Sequence, residues 1–172
     1  WSGQITQNDF TTSGTFIGSP DAPGIASVVQ VVNGSDDAMA FTIDFTMPLT
    51  NPVAENLPWE SSIYASLTGS DVSLSALIAD SIWHVDVAGE DAVALMPYPF
   101  EMVVDGHGAN TAYDEGSGVL AWSDGEDLSI RMNFELSPGA TVMFNGGFTT
   151  IPAPAGLAIV SGMLWMRRKR PH

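Results

Sequence analysis

The residues with the clearest potential for metal chemistry lie close together in a glycine-rich segment. They are Asp105, His107, Asp114 and Glu115. The three carboxylates supply the oxygen ligands that calcium prefers, and His107 adds an imidazole ligand, so these four residues are candidate ligands of a metal ion such as calcium. The spacing matches neither an EF-hand nor a repeat-type calcium loop. Because Asp and Gly are also ordinary turn residues, a metal-free loop is the alternative interpretation, and we expect no resident cofactor.

The sequence contains no recognisable catalytic constellation. The chain has no cysteine, which excludes a Cys nucleophile, a thiolate zinc site and a disulfide framework. It has no Gly-x-Ser-x-Gly motif and no phosphate-binding loop. His84 lies on the polar face of a predicted strand near Asp86, where solvation is a simpler interpretation than general-base chemistry. We therefore predict a protein that is not an enzyme, with a hydrolase that uses two carboxylates as the less favoured alternative.

Aromatic side chains offer a second kind of binding chemistry. Two pairs lie in or near predicted loops: Trp59 with Tyr64, and Tyr98 with Tyr113. Exposed rings stack on sugars, so these pairs are candidates for a carbohydrate platform, although packing within a core or a loop competes for each ring. Two further tryptophans, Trp83 and Trp122, are expected in the core.

The charge of the chain excludes one class of partner. Twenty Asp and Glu residues face five Lys and Arg residues, for a net charge of −15. Before position 167 the only basic residue is Arg131. Phosphate backbones are bound by clustered Lys and Arg, so we expect no nucleic-acid partner. The acidic surface would instead attract cations.

The spacing of apolar residues predicts an all-β fold. Residues 39–47 and 128–136 alternate between apolar and polar side chains, which indicates strands with one buried face. Shorter apolar runs are predicted as further strands, and they cover 26–32, 63–67, 72–78, 82–87, 100–104, 119–122 and 141–148, with an edge strand at 14–17. No segment before residue 153 has a helical period. We predict a two-sheet antiparallel β-sandwich, jelly-roll-like, with nine or ten strands.

Turn residues separate the predicted strands. Asn33-Gly34 predicts a hairpin turn, and Pro138-Gly139 predicts a type II turn. Gly146-Gly147 predicts a bulge inside the last strand. The longest predicted loops cover residues 48–60 and 106–118.

The C-terminal segment has a different pattern from the rest of the chain. Pro152-Ala153-Pro154 precedes an apolar run over 157–166, and a basic end follows. The run predicts a short hydrophobic helix, about 21 Å long over residues 153–166 at roughly 1.5 Å per residue. That is short for a bilayer core of about 30 Å. Basic residues after an apolar segment stay on the cytoplasmic side, which would place the acidic domain outside.

These features resemble the PEP-CTERM sorting signal, here with a Pro-Ala-Pro variant of its proline motif. In that family a Pro-Glu-Pro-like motif, a hydrophobic helix and an Arg-rich end are recognised by an exosortase in Gram-negative bacteria. The resemblance implies an upstream signal peptide, export, processing near the proline motif, and attachment to the cell surface or release into the extracellular matrix. It also implies an exosortase-like enzyme and the membrane as partners. The residues that carry the resemblance are Pro152, Ala153, Pro154, Arg167, Arg168, Lys169 and Arg170.

The sequence thus divides into an extracellular acidic β-sandwich domain at 1–150 and a sorting or anchor segment at 151–172. The predicted function is that of an exported, non-enzymatic protein of the cell surface or extracellular matrix, with a structural or adhesive role. A carbohydrate-binding or calcium-dependent lectin-like module is the alternative, with extracellular polysaccharide as its partner.

Overall fold

The alternating sequence folds into strands joined by turns. The computed structural model describes residues 2–7, 9–19, 24–50, 53–123 and 125–151, without the side chains of 2, 4–7 and 53–56. In chain order the strands are β1 (Ser2–Gln7), β2 (Phe10–Ser19), β3 (Gly24–Asn33), β4 (Met39–Pro48), β5 (Val53–Ala76), β6 (Ser81–Val87), β7 (Glu90–Pro97), β8 (Glu101–Trp122), β9 (Asp127–Leu136) and β10 (Thr141–Thr150). All their pairings are antiparallel. The all-β antiparallel prediction is confirmed for the described residues.

The ten strands form two layers that one strand connects. The first layer has the order β1-β2-β3-β10-β5-β8, and the second has the order β4-β9-β6-β7. The end of β5 leaves the first layer and pairs with β9 through Leu74, Ser75 and Ala76. β5 therefore links the two hydrogen-bonded layers into one continuous sheet.

The core lies between the two layers. The rings of Phe134 on β9 and Phe144 on β10 have centroids 5.0 Å apart, and those of Phe16 on β2 and Phe45 on β4 stack at 4.8 Å. Neither pair joins hydrogen-bonded neighbours, so these contacts are face-to-face packing between layers. The apolar residues of the predicted strand at 128–136 are all buried, as its alternation indicates.

Trp83 on β6 occupies the centre of this core. Its side chain is fully buried, and its indole Nε1 donates a hydrogen bond of 3.1 Å to Ser61 Oγ on β5. A Cβ atom at Gly146 would lie 2.9 Å from two carbon atoms of the Trp83 ring. Glycine is thus required at position 146 because the Trp83 ring packs closely against its backbone, and not because the strand bulges there. The bulge prediction is wrong, because β10 keeps an unbroken register with both β3 and β5.

Two strands are much longer than predicted. β5 joins the predicted runs at 63–67 and 72–78, and β8 runs straight through the predicted loop at 106–118. The two strands pair along most of their length, interrupted by a register shift between Ser70 and Val72. At that shift Asp71 adopts a positive φ of 56°, and its Oδ1 accepts a 2.8 Å hydrogen bond from Gly106 N. The mutual ladder keeps these glycine-containing segments extended.

Other local predictions also change. The segment 90–97 was not predicted as a strand, and the predicted edge strand at 14–17 lies in β2, between β1 and β3. The prediction of a hairpin turn at Asn33-Gly34 is wrong, because β3 does not pair with β4. Instead the buried Asn33 amide donates hydrogen bonds to Leu136 O at 2.8 Å and Asp37 O at 2.9 Å, so it fixes the loop between the layers.

The predicted turn at 138–139 is confirmed, although it joins strands of different layers. Ala140 N donates to Ser137 O at 3.3 Å, and Gly139 has a φ of 69°. These features are those of a type II turn with Pro138 at its second position.

The predicted sorting or anchor segment lies outside the described residues after Ile151. This applies to the hydrophobic helix at 157–166 and to the motif residues at 152–154 and 167–170. The described residues contain no helix that is long and apolar enough to cross a membrane.

Substituting Gly146 by Ala should destabilise the fold. The new methyl group would press on the buried Trp83 ring at 2.9 Å and on Ser62 O at 3.2 Å, and overpacking of this kind costs about 1–3 kcal/mol. Gly108→Ala, whose Cβ would lie 3.6 Å from the nearest atom, is the matched control within a strand. Urea unfolding monitored by tryptophan fluorescence measures both. Equal stability of the two variants would contradict the proposed packing.

Candidate functional site

A groove crosses the outer face of the first layer. It encloses about 670 Å³. Residues from five adjacent strands line it, and its exposed or half-buried members include Ile17, Ala26, Gly147, Ser62, Glu60 and Glu115. The groove lies on the side of the layer opposite to Trp83 and the core.

The floor of the groove is a row of small residues in register. Gly147 on β10 pairs with Ala26 on β3 and with Ser62 on β5. The row continues to Ile17 on β2 and to Glu115 on β8. Neighbouring strands in a sheet are about 4.8 Å apart, so the row runs perpendicular to the strands. A ligand in this groove would lie across the strands.

Small side chains on the floor create the depression. Gly147 presents no side chain outward, and a Cβ there would lie 3.2 Å from Ile25 O. Beneath it, the hydroxyl of Ser61 donates a 3.0 Å hydrogen bond to Gly147 O from the core side. This contact holds the floor strands β5 and β10 together.

A pair of tyrosines stands beside the floor. Tyr64 on β5 and Tyr113 on β8 are direct cross-strand partners. This pair lies two residues along the strands from the pair of Ser62 and Glu115, and therefore on the same face of the sheet. Their side chains are 39% and 60% exposed. The same row continues through Asn145 and Val28. The face therefore combines exposed rings with uncharged polar and apolar groups.

Tyr113 is oriented by a carboxylate of the groove. Its hydroxyl donates a 2.6 Å hydrogen bond to Glu115 Oε2. That hydrogen bond, together with desolvation and the negative charge of Glu115, raises the pKa of Tyr113 above its usual value of 10.0. The phenol thus stays neutral, and its ring is fixed at the border of the groove.

The two aromatic pairs suggested by the sequence are rearranged in the structure. Trp59 is buried in the core, 5.8 Å from Phe148 between ring centroids, and not in a loop. Tyr98 is exposed in the turn between β7 and β8, whereas Tyr64 and Tyr113 lie on the outer face of the first layer, next to the residues that line the groove but not among them. Trp83 and Trp122 are buried, as expected. The pairing of Tyr64 with Tyr113 depends on the register of β5 with β8, which local sequence patterns do not reveal.

The groove carries negative charge only. Glu60 and Glu115 are both exposed along it, and its lining includes no Lys, Arg or His. Arg131 lies instead on the outer face of the second layer, where its Nε donates to Asp44 Oδ1 at 2.8 Å. This partner raises the pKa of the Arg131 guanidinium through its hydrogen bond and its charge.

The four candidate calcium ligands lie along one extended strand and not in a loop. His107 pairs with Ser70, and Glu115 pairs with Ser62. Glu115 lies eight positions after His107 in β8, so the two residues are roughly 26 Å apart at about 3.3 Å per residue. Asp114 is already engaged, because it accepts hydrogen bonds from Met96 N at 2.7 Å and Glu115 N at 2.9 Å.

Asp105 flanks the register shift of β8, next to Gly106. The structure does not bring it together with Asp114 and Glu115. Within the described part of the chain, no group of three or more His, Asp or Glu side chains is placed to hold a metal ion.

His84 lies on the outer face of the second layer and pairs with Asp80 rather than Asp86. His84 Nε2 and Asp80 Oδ1 are in close contact, and Ser81 N donates a 3.2 Å hydrogen bond to the same Nε2. His84 Nδ1 lies 3.9 Å from Asp91 Oδ1. Burial opposes ionisation of Asp80, but hydrogen bonds from Ser81 N, His84 and Asn133 hold its pKa below the usual value of 3.8.

Asp86 forms a like-charge pair with Asp91 across β6 and β7. The two residues are opposite each other in the ladder. Desolvation of Asp86, followed by its hydrogen bond to Asp91 and the charge of Asp91, raises the pKa of Asp86 above 3.8. At neutral pH the pair is therefore a source of repulsion.

Comparisons with known proteins give structural likeness without a family. No protein-family model matches the chain, and no curated protein matches it. The chain is similar to TmCBM61, solved in complex with beta-1,4-galactotriose, with 10% identity and a TM-score of 0.39 over 84% of this chain and 90% of that one.

Two further solved structures are similar at the same low level. Dimeric latent PorU from Porphyromonas gingivalis matches with 8% identity and a TM-score of 0.37, over 86% of this chain and 13% of that one. The C-terminal CBM6 of LamC from Zobellia galactanivorans matches with 14% identity and a TM-score of 0.25, over 79% and 90%. Values this low identify neither a family nor a function.

Replacing Asp91 by Asn should stabilise the protein at neutral pH. A raised folded-state pKa means that Asp86 stabilises the fold below about pH 3.8 and that this contribution is lost as pH rises. Removing the charge of Asp91 should recover about 0.2–1 kcal/mol at pH 7, the range for like charges directly opposite each other. The gain should shrink toward pH 3.

Urea unfolding of the variant at pH 3 and pH 7 checks this expectation. Glu90→Gln, an exposed neighbouring carboxylate of β7, is the control for a general change in net charge. A variant at position 91 that loses stability at pH 7, or that gains no more than the control, would show that the repulsion is absent.

Proposed function

We propose that this chain is a carbohydrate-binding module that holds an extended polysaccharide in the groove of its first layer. The observation that carries the proposal is the exposed pair Tyr64 and Tyr113 beside a floor of small residues. Aromatic rings present a flat apolar face to sugar rings. The floor of Ala26, Gly147 and Ser62 leaves room for a chain that continues across the strands.

The polar groups around the floor suit a ligand that is rich in hydroxyls. Ser62, Thr149 and Ser117 line the groove beside the carboxylates of Glu60 and Glu115. Hydroxyl groups both donate and accept hydrogen bonds, whereas ionised carboxylates only accept them. This mixture of stacking surface and directed acceptors is typical of small-ligand recognition, in which apolar contact gives affinity and a few polar groups fix orientation.

The proposal is for binding and not for catalysis. His84 and Asp80 lie on the outer face of the second layer, away from the groove, and the acid pair Asp86 and Asp91 lies on that same outer face. Glycan hydrolysis requires an acid with a raised pKa beside the scissile bond. Glu60 and Glu115 are both exposed on the groove.

Single substitutions of the tyrosines should weaken polysaccharide binding. The purified protein is screened by affinity electrophoresis in gels that contain soluble galactan, xylan, laminarin or glycol chitin. Tyr64→Ala and Tyr113→Ala should each raise the Kd for the retarding polymer about three- to tenfold, since stacking of one ring contributes about 0.5–1.5 kcal/mol.

The control variant is Tyr98→Ala, which removes an exposed tyrosine from the turn between β7 and β8, away from the cross-strand pair of Tyr64 and Tyr113, and should bind like the parent protein. Ala26→Gln adds a test of the floor, because its longer side chain would fill the groove without removing an aromatic ring. A protein that no polymer retards, or a Tyr64→Ala variant with unchanged affinity, would refute the proposal.

We also propose that the module is exported and held at the surface, or released into the extracellular matrix, through the sorting segment at 151–172. The support is the Pro-Ala-Pro motif with its apolar run and basic end. An acidic domain that binds polysaccharide would there meet its ligand outside the cell. An exosortase-like enzyme and the membrane are its proposed partners.

Mass spectrometry of the mature protein tests the export proposal. When the full-length precursor is expressed in a Gram-negative host that has an exosortase, the recovered C-terminus should end near residues 152–155. Replacing Pro152 and Pro154 by Ala should leave the basic end attached. An intact C-terminus on soluble protein from that host would contradict the sorting role.

A further inference from the structure

We infer that the groove selects its polysaccharide by charge: it prefers chains with protonated amino groups to the same chains in uncharged form and rejects acidic chains. The inference rests on the proposed function, since it specifies which polysaccharides the same groove binds. The observation behind it is the placement of Glu60 and Glu115 along a groove whose lining has no basic residue.

The two carboxylates face the same side of adjacent strands. Glu115 on β8 pairs with Ser62, and Glu60 on β5 pairs with Ser117. Glu60 and Glu115 are therefore diagonal neighbours, and diagonal Cβ atoms on one face of a sheet are about 7 Å apart. Both side chains are exposed, so both can reach groups on a ligand that lies on the floor.

The hydrogen bond from Tyr113 places one of these carboxylates beside the aromatic pair. Tyr113 donates to Oε2 of Glu115 at 2.6 Å, which ties the charged group to the ring that would stack on a sugar. A sugar that stacks on Tyr113 would therefore carry its substituents close to the Glu115 carboxylate. An ammonium substituent would donate a charge-assisted hydrogen bond there, which is stronger than one from a neutral amide.

The rest of the molecule reinforces the sign of the field. The described residues include one Lys or Arg side chain, Arg131, whose Nε donates to Asp44 Oδ1 on the outer face of the other layer. Arg131 is thus paired already and faces away from the groove carboxylates. The two described histidines, His84 and His107, are not among the residues that line the groove. Uronate or sulfate groups would meet only like charge in the groove, and no cation there would pair with them.

Binding of matched chitin oligosaccharides tests the inference. Hexamers of N-acetylglucosamine and of glucosamine have the same backbone and differ in one substituent per ring, a neutral acetamido group in the first and an ammonium group in the second. At pH 5.5 and low salt, the glucosamine hexamer should bind about two- to fivefold more tightly, as expected for one exposed ion pair. That advantage should disappear at 0.5 M NaCl, and oligogalacturonate should not bind.

The double variant E60Q/E115Q should bind the two hexamers with equal affinity, because the charge that distinguishes them is gone; the readout is the ratio of the two affinities and not the affinity for either hexamer. The control E101Q/E135Q removes two exposed carboxylates outside the groove and should keep the preference. Isothermal titration calorimetry measures each of the three proteins with each hexamer, with circular dichroism to check that both variants fold.

The possible outcomes separate the inference from the proposed function. Equal affinity for both hexamers, tighter binding of oligogalacturonate, or a preference that survives in E60Q/E115Q would overturn charge selection and leave the carbohydrate-binding proposal standing. If neither these ligands nor the polysaccharides of the gel screen bind, both the inference and the proposed function are overturned.

Discussion

The contact between Trp83 and Gly146 is the constraint on which the rest of the structure depends. The buried indole of Trp83 in the second layer fits against the first layer only because Gly146 has no side chain; a Cβ there would lie 2.9 Å from the ring. The Trp83 Nε1–H is satisfied by Ser61 Oγ at 3.1 Å. A buried indole N–H without a partner would cost free energy, so this hydrogen bond fixes the lateral position of Trp83.

The same short segments shape both faces of the first layer. Successive residues of a strand point to opposite faces, so Gly146 and Ser61 face the core while Gly147 and Ser62 face the groove. Ser61 Oγ, which accepts the hydrogen bond from Trp83, also donates to Gly147 O at 3.0 Å. It therefore connects Trp83 in the core with β10 under the groove. Packing of the core thus holds the floor strands at the register that forms the groove.

The sequence predicted the parts of the fold in which local pattern and tertiary environment agree. The alternation at 39–47 and 128–136 predicted β4 and β9, and Pro138-Gly139 predicted the turn between β9 and β10. The pattern failed for β8, where glycines at 106, 108, 116 and 118 indicated a loop. There the ladder with β5 overrides the weak local preference of the segment. Gly118 makes room for the Trp59 ring, because a Cβ atom at this position would lie 2.7 Å from it.

The candidate site was harder to predict for the same reason. Tyr64 and Tyr113 were recognised as candidate sugar-binding rings, but the sequence paired each of them with another residue. Only the register of β5 with β8 places them opposite each other. The floor of Ala26, Gly147 and Ser62 has no sequence motif, because its three residues come from three separate strands.

The most direct test of the account is to map the bound ligand by NMR. The ¹⁵N-labelled protein is titrated with a soluble oligosaccharide of the polymer that retards it most in the gels. The account predicts chemical-shift changes along one line across the strands, at Ala26, Gly147, Ser62 and Tyr113, with little change around His84. Changes confined to the outer face of the second layer, or to the turns at the ends of the strands, would contradict the central claim that the groove is the binding site.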